Sequence, residues 1–466
     1  MTSHVLLRAS LAVFACAVTA CGGGESSDRR REPPAPFRVE IHDETLRKIL
    51  PAARGVLAFR EPTGGALTEH WVERSLAWFD EAGAPLAELR APASELFVDA
   101  VTHPSGEATL FLAGPDGCSL RRYSAAGTPL GTSRVDEPDL VTDPTDVTEQ
   151  PIIPWNVGAC QPTEIRETGR LAADGEHVYL VNRGGSSGTL LFRYAYEGGA
   201  FLRTLRVPLF PRHAAPLPTG IAASHRVLRS THWSFIPRVS VDDAGRARVL
   251  FVLGSGAAVD VYNRFAATRV ADTAAAVILT VDKDGAISGT RELARGLVWP
   301  GHVAEVEAFR WLRGGVVLTG RVAPAPLPDD GRGWNGFLLH WVDGAEAPQL
   351  AVHLDVDGGD AFSDVASAGS GWVVAGRSGY WQNPRGASIS EEARSELLAL
   401  DASGRLIRRA DLPQGLRHNA ALSLTESSSS GHFFVGGLTN GPGSHSADSD
   451  PALLRADGWL ERIVLK

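Results

Sequence analysis

Three groups of residues have the types and spacing to do chemistry. Asp355, Asp357 and Asp360 lie in the run Asp355-Val356-Asp357-Gly358-Gly359-Asp360, with Asp364 beyond. They offer the clustered carboxylate oxygens that a hard cation such as Ca²⁺ takes as ligands. The run lacks the Glu that closes an EF-hand loop at its twelfth position. Asp and Gly in this order also make an ordinary turn, which is the favoured reading here and at Asp242-Asp243, Asp282 and Asp284. His213, His225 and His232 share one segment, and His302 precedes Glu305 by three. Loop imidazoles bind transition metals, but neither HExxH nor a tight His/Cys/Asp spacing is present, so no metal or other cofactor is expected. The third group is aromatic: His232-Trp233, Trp334-Asn335 and Tyr380-Trp381-Gln382-Asn383. Trp and Tyr beside an amide suit stacking on a sugar or anchoring a protein partner. The same rings also serve to fill a loop's own small core.

Enzyme signatures are lacking. No nucleophile elbow, phosphate loop or dinucleotide fingerprint occurs in a credible context. Hydrolases can also assemble a site from scattered Asp, Glu and His that carry no local motif, so an enzyme is the less favoured reading. The balance of 45 Lys+Arg against 54 Asp+Glu, net −9, argues against a general nucleic-acid binder. Only Lys48, Lys283 and Lys466 are lysines. With 44% hydrophobic residues the chain has material for a large core. Its 50 Gly and 29 Pro point to many turns and short strands.

Residues 1–21 read MTSHVLLRASLAVFACAVTAC. Arg8 precedes an apolar run from Ala9 to Ala20 that is too short to span a bilayer and suits the hydrophobic region of a signal peptide. The run ends in Val18-Thr19-Ala20-Cys21, which resembles the lipobox of bacterial lipoproteins. The resemblance implies cleavage before Cys21 and a lipid on its sulfur; the alternative is an ordinary secretory signal with an incidental Cys. Residues 1–20 are thus expected to be a signal peptide. Residues 21–37, with Gly22-Gly23-Gly24, Arg29-Arg30-Arg31 and Pro33-Pro34-Ala35-Pro36, are expected to be a flexible tether. Gly22 after the Cys implies the outer membrane, by resemblance to enterobacterial sorting. Cys118 and Cys160 then remain, and in an oxidising envelope they are expected to pair as a disulfide; two separate buried thiols are the alternative.

What must position these residues is a repeat over 38–466. A short β-rich run ending near Gly leads through a loop to a second run, then to a tight Asp/Gly corner. The clearest copies start at Gly315-Val316-Val317-Leu318-Thr319-Gly320, Gly371-Trp372-Val373-Val374-Ala375-Gly376 and His432-Phe433-Phe434-Val435-Gly436-Gly437. The last of these is expected to pair with Pro451 to Arg455 and to turn at Ala456-Asp457-Gly458. Seven copies are readable, with corner glycines at 83, 127, 199, 285, 344, 404 and 458. A further β-like run falls between copies, as at Leu96 to Thr102, Pro237 to Val241, Val303 to Trp311 and Asn419 to Thr425. Glu44 to Ala53 is the one local helix candidate, interrupted by Pro51. Four strands per copy, seven times, predicts an all-β, seven-bladed β-propeller; a pair of β-sandwich domains is the alternative. The cadence resembles that of bacterial envelope propellers.

In a propeller the middle-hairpin loops and the inter-blade loops share one face, so the long segments 135–163, 208–235, 255–273, 322–335, 378–394 and 438–450 would emerge together. One elaborated face on a rigid scaffold is where function is usually grafted. The expectation is a lipid-anchored envelope protein whose long-loop face, including His232, Trp233, Trp334, Asn335, Tyr380 and Trp381, binds a protein partner. A carbohydrate-binding or carbohydrate-cleaving propeller is the alternative.

Overall fold

The computed structural model describes residues 36–62, 74–91, 95–114, 117–135, 169–184, 188–210, 225–227, 238–255, 275–293, 296–325, 333–379, 393–427, 431–441 and 456–465. They lie within the compact unit Ala35–Lys466. Strand β1 (Phe37–Ile41) precedes the first blade, which is β2 (Glu44–Ala52), β3 (Gly55–Pro62), β4 (Ser75–Asp80) and β5 (Pro85–Arg90). Blade two is β6 (Leu96–Thr102), β7 (Ala108–Gly114), β8 (Gly117–Tyr123) and β9 (Pro129–Arg134). Blade three is β10 (Gly169–Ala173), β11 (His177–Gly184), β12 (Gly188–Glu197) and β13 (Ala200–Phe210). In blade four, β14 (His225–Val227) and β15 (Arg238–Val241) both pair one edge of β16 (Ala247–Ser255), followed by β17 (Ala275–Val281) and β18 (Ile287–Leu293).

Blade five is β19 (His302–Leu312), β20 (Gly315–Pro324), β21 (Asn335–Val342) and β22 (Leu350–Leu354). Blade six is β23 (Ala361–Ala368), β24 (Gly371–Ser378), β25 (Arg394–Leu400) and β26 (Leu406–Arg409). The seventh is β27 (His418–Glu426), β28 (His432–Gly441), β29 (Asp457–Val464) and, from the other end of the chain, β1. All pairings are antiparallel, and the first strands touch in a closed cycle, β2–β6–β10–β15–β19–β23–β27–β2. The fold is a seven-bladed β-propeller with those strands around its axis.

Burial follows the layering. Middle strands are covered by a blade on each side and open on near-continuous apolar runs, as in β20 (GVVLTGRVAP) and β24 (GWVVAGRS). Outer strands meet water and alternate, as in β5 and β9. The core is accordingly divided among seven principal clusters, one between each pair of neighbouring blades. Leu57, Trp78 and Leu110 join blades one and two. Val317, Phe362 and Val374 join five and six, and Ile49, Phe434 and Leu460 join seven back to one.

The glycine that ends each clear copy of the repeat has a steric reason. A Cβ on Gly320, Gly376 or Gly437 would lie 1.9, 2.1 or 2.1 Å from the carbonyl oxygen of Glu305, Ala361 or Ala420 on the neighbouring first strand. At that level the first strand carries a β-bulge, between Val306 and Ala308, Phe362 and Asp364, and Ala421 and Ser423. Blades one and two bulge likewise, between Leu46 and Lys48 and between Phe97 and Asp99. A bulge adds one residue and re-aims the side chains around it.

Two sequence expectations are corrected. Glu44 to Ala53 is not helical: Leu46 and Ile49 are both fully buried in one cluster although three residues apart, because the bulge between them breaks the strict alternation of a strand. The third strand of the last blade is β29, and Gly458 lies within it, paired with Ile41 on one side and Leu438 on the other, instead of turning. Pro451 to Arg455 lie outside the described residues. The other six corner glycines, at 83, 127, 199, 285, 344 and 404, all have the positive φ of a tight turn. The outer strand of the seventh blade is β1, and it starts at Phe37, the residue at which the tether was expected to end.

Candidate functional site

The first strands share an unusual problem. Each is paired on one edge only, so the N–H groups of its other edge need acceptors that a sheet does not supply. Side chains of the preceding blade meet part of that need. Leu171 N–H donates to Asp99 Oδ2 at 2.8 Å and Leu424 N–H to Asp364 Oδ2 at 2.9 Å. Ile49 N–H donates to Ser423 Oγ at 3.1 Å and Trp311 N–H to Ser240 Oγ at 2.8 Å. Asp99, Asp364 and Ser423 each stand immediately after a bulge.

Around these contacts runs a belt of charge. Lys48 Nζ donates to Asp99 Oδ1 at 2.7 Å and to the Ala100 carbonyl at 2.8 Å. Arg310 reaches across two blades, to Asp364 at 2.6 Å and to the Leu424 carbonyl at 3.2 Å. Glu307 is held by Arg377 at 2.9 Å and by the Ser363 hydroxyl at 3.1 Å. Arg47 lies 3.6 Å from Glu61, which also accepts from the fully buried Arg74 at 3.0 Å. Arg170 stands on β10 of blade three, and Arg238 on β15 of blade four donates to the Val306 carbonyl of blade five at 3.2 Å. Arg47, Lys48 and Arg310 keep 27%, 31% and 32% of their side-chain surface accessible although they sit deep within the protein. Side chains on the axial strands that keep such surface face the central channel of the ring.

Burial pushes the Arg47 guanidinium down to about 9, with the neighbouring Arg74 adding to it. Arg238 falls to about 10, first through burial and then through Arg170, and burial lowers Arg170 as well. Burial by itself would raise the Asp99 carboxyl, but Lys48, Arg170 and the Leu171 N–H together hold it below the ordinary carboxylate range. For Glu307 burial is outweighed in the same way, by Arg377 and Arg321 above all. The surrounding cations thus favour the ionised form of Asp99 and of Glu307.

Of the residues singled out from the sequence, Asp364 joins this belt, and the others that the structure describes lie elsewhere. Asp355 accepts the Gly358 N–H at 2.9 Å, as a turn residue does, and Asp357 is paired with Arg409 at 2.9 Å. Asp360 is completely buried, and one oxygen accepts the Val356 N–H at 2.7 Å while the other has no hydrogen-bond partner. Burial, with Asp355 and Glu396 nearby, raises its carboxyl to about 7. Glu396, also buried, is bonded to Ser378 and Arg409 through one oxygen. Among the described residues no group of three or more His, Cys, Asp or Glu side chains is placed to hold a metal.

Trp334 is buried against Val303 and Ala323, beneath the Arg321 guanidinium 4.6 Å from its ring centre. Asn335 donates to His353 Nδ1 at 3.1 Å. His232, Trp233, Tyr380 and Trp381 lie outside the described residues, as does Cys21. Cys118 is buried and disulfide-bonded; Cys160, its expected partner, is outside the described residues.

The belt was missed in the sequence. Its signal is faint: one or two charges inside a short apolar run, as in Leu46-Arg47-Lys48-Ile49, Phe97-Val98-Asp99-Ala100 and Phe362-Ser363-Asp364-Val365.

No protein-family model and no curated protein matches the chain. Among solved structures it is similar to Drosophila plexin A, determined in complex with semaphorin 1b, at 10% identity and a TM-score of 0.46 over 93% of this chain and 88% of that one. It is similar to a prolyl endopeptidase at 12% identity and a TM-score of 0.44, covering 85% of this chain but only 45% of the endopeptidase. A putative 6-phosphogluconolactonase from Bacteroides fragilis gives 11% identity and a TM-score of 0.39 over 85% of this chain and 87% of that one. At these identities and scores the likeness concerns architecture and carries nothing about activity.

Proposed function

We propose that this protein is a binding module of the bacterial cell envelope, held to the membrane by lipid on Cys21, whose elaborated face captures another envelope component. The observation that carries the reading is the sorting of its connections. On the face where β2 meets β3, every link is a short turn, from 53–54 to 343–349 at the longest. The strand ends joined by the long segments 63–74, 135–168, 256–274, 379–393 and 442–456 all lie at the opposite face. A rigid scaffold whose long connections all start and end at one face suits recognition there. Leu416, 97% exposed, stands on that same face in the link between β26 and β27.

The carbohydrate-cleaving alternative draws less support. Glycoside hydrolysis needs a carboxyl kept protonated near neutrality beside an ionised one and open to substrate; Asp99 and Glu307 are both held below the ordinary range, and Asp360, raised to about 7, has no accessible surface. A photo-crosslinking residue placed at Leu416 in intact cells should yield a discrete adduct, and one placed at Ser403 on the short-turn face should not. Equal labelling from both positions, or none from Leu416, would sink the reading.

A further inference from the structure

Two histidines far apart in the sequence meet at the loop face of blade five. His302 opens β19 and His353 is the fourth residue of β22, and their ring centres lie 6.1 Å apart. His302 is half-buried and His353 exposed, so solvent reaches both imidazoles. His302 is held from behind by the turn that precedes it. Its backbone N–H donates to the Trp299 carbonyl at 3.3 Å, and the Gly301 carbonyl takes the Ala325 N–H at 2.8 Å. Its Nδ1 lies 3.0 Å from the Pro300 carbonyl oxygen. A carbonyl can only accept, so Nδ1 carries the proton of the neutral ring and Nε2 keeps a free lone pair.

His353 is also held in place. The Trp299 ring packs edge-on against it, with centres 5.6 Å apart and planes at 89°, and Trp299 rests in turn on Phe337 at 5.5 Å. The Asn335 side chain lies 3.1 Å from His353 Nδ1. An amide can face that nitrogen with its N–H or, turned over, with its oxygen. In the second orientation Asn335 accepts the Nδ1–H, and Nε2 of His353 offers a second free lone pair. An imidazole held through one nitrogen by an oxygen acceptor is the arrangement that orients a metal ligand. With Zn–N bonds of about 2.0–2.1 Å, two rings on one ion have centres no more than about 6.4 Å apart. The observed 6.1 Å falls inside that limit.

We propose that His302 and His353 form a two-histidine site for a divalent transition-metal ion such as Zn²⁺ or Ni²⁺, bound through their Nε2 atoms with water in the remaining positions. Imidazole suits these borderline ions, whereas Ca²⁺ and Mg²⁺ take oxygen ligands. With two protein ligands the site falls short of the closed four-ligand sites of structural zinc and leaves positions open for exchange. It goes beyond the capture of an envelope component and stands whether or not the loop face binds one.

Titration calorimetry of the tag-free full chain with Zn²⁺ and, separately, Ni²⁺ in a non-coordinating buffer tests it. Saturable binding is expected, unaffected by excess Mg²⁺. His302→Ala and His353→Ala should each weaken that binding at least tenfold. Both side chains keep accessible surface, and melting curves of the variants establish that the ring is intact. Asn335→Asp, whose carboxylate can only accept from Nδ1–H, should instead tighten binding severalfold, a gain that damage to the fold cannot produce. Absence of saturable binding, displacement by Mg²⁺, unchanged affinity in either folded histidine variant, or unchanged or weaker binding in Asn335→Asp overturns the proposal.

Discussion

The Asp99 carboxylate accepts the backbone N–H of Leu171 at 2.8 Å from the neighbouring blade while its other oxygen holds Lys48 at 2.7 Å. One side chain thereby joins three consecutive blades at the axis, where the sheets leave an edge unpaired. Removing it strands the buried Leu171 N–H and leaves the Lys48 ammonium with the Ala100 carbonyl as its remaining acceptor among the described residues. Asp99→Ala is expected to cost about 3 kcal/mol or more, in line with breaking one partner of a buried pair. Asp99→Asn, which keeps an acceptor for Leu171, should cost less. Urea denaturation of the two variants checks the order.

The repeat glycines make a sharper prediction. At Gly376 a methyl group would sit 2.1 Å from the Ala361 carbonyl oxygen, and backbone must move to admit it. Gly344 has φ +74 and open space around it. Gly344→Ala is therefore expected to cost about 1 kcal/mol, the ordinary penalty of a left-handed turn position, and Gly376→Ala several times that. Similar melting temperatures for the two variants would contradict this account of the motif.

Arg313 lies over the Trp372 ring, 4.2 Å from its centre, and donates to the carbonyls of Ser370 at 2.7 Å and Gly369 at 2.6 Å. It bolts blade five to blade six on the short-turn face. Lysine cannot reproduce a flat stack combined with forked donors. Arg313→Lys is expected to lose most of what Arg313→Ala loses, about 1–2 kcal/mol, as read from thermal unfolding.

Asp360 sets a pH dependence of definite sign. Its carboxyl is raised to about 7 in the folded protein, against about 3.9 when unfolded. The native state therefore holds a proton that the unfolded state releases between those values. This residue's contribution falls as pH rises from about 4 to 7, by up to about 4 kcal/mol. Asp360→Asn should flatten that part of the stability profile and raise stability at pH 8. A profile unchanged by the substitution would show that Asp360 ionises normally.

Legibility in the sequence divides along physical lines. The turn glycines and the Gly315–Gly320 and Gly371–Gly376 cadence are readable because a positive φ or a carbonyl pressed against Cα is a local demand on one residue. The channel belt is not, because a lone Asp99 or Arg170 in an apolar strand looks the same whether it faces water or an axis. The bulge at Leu46 to Lys48 imitates helical spacing, which is why this strand reads as a helix. The pairing of β1 with β29 leaves no local trace at all. Nothing near Phe37 announces that its partner is Arg462.

That last pairing has a consequence in the order of synthesis. Arg38 and Glu461, bonded at 3.0 Å across β1 and β29, are separated by 423 positions. During translation β1 emerges first and finds its partner last, after all the intervening strands have been made. Until then one edge of β28 and the whole of β1 stay open to any passing strand. Closure of the ring through β1 and β29 therefore cannot precede synthesis of the last strand, and it is the pairing of longest reach in the fold described.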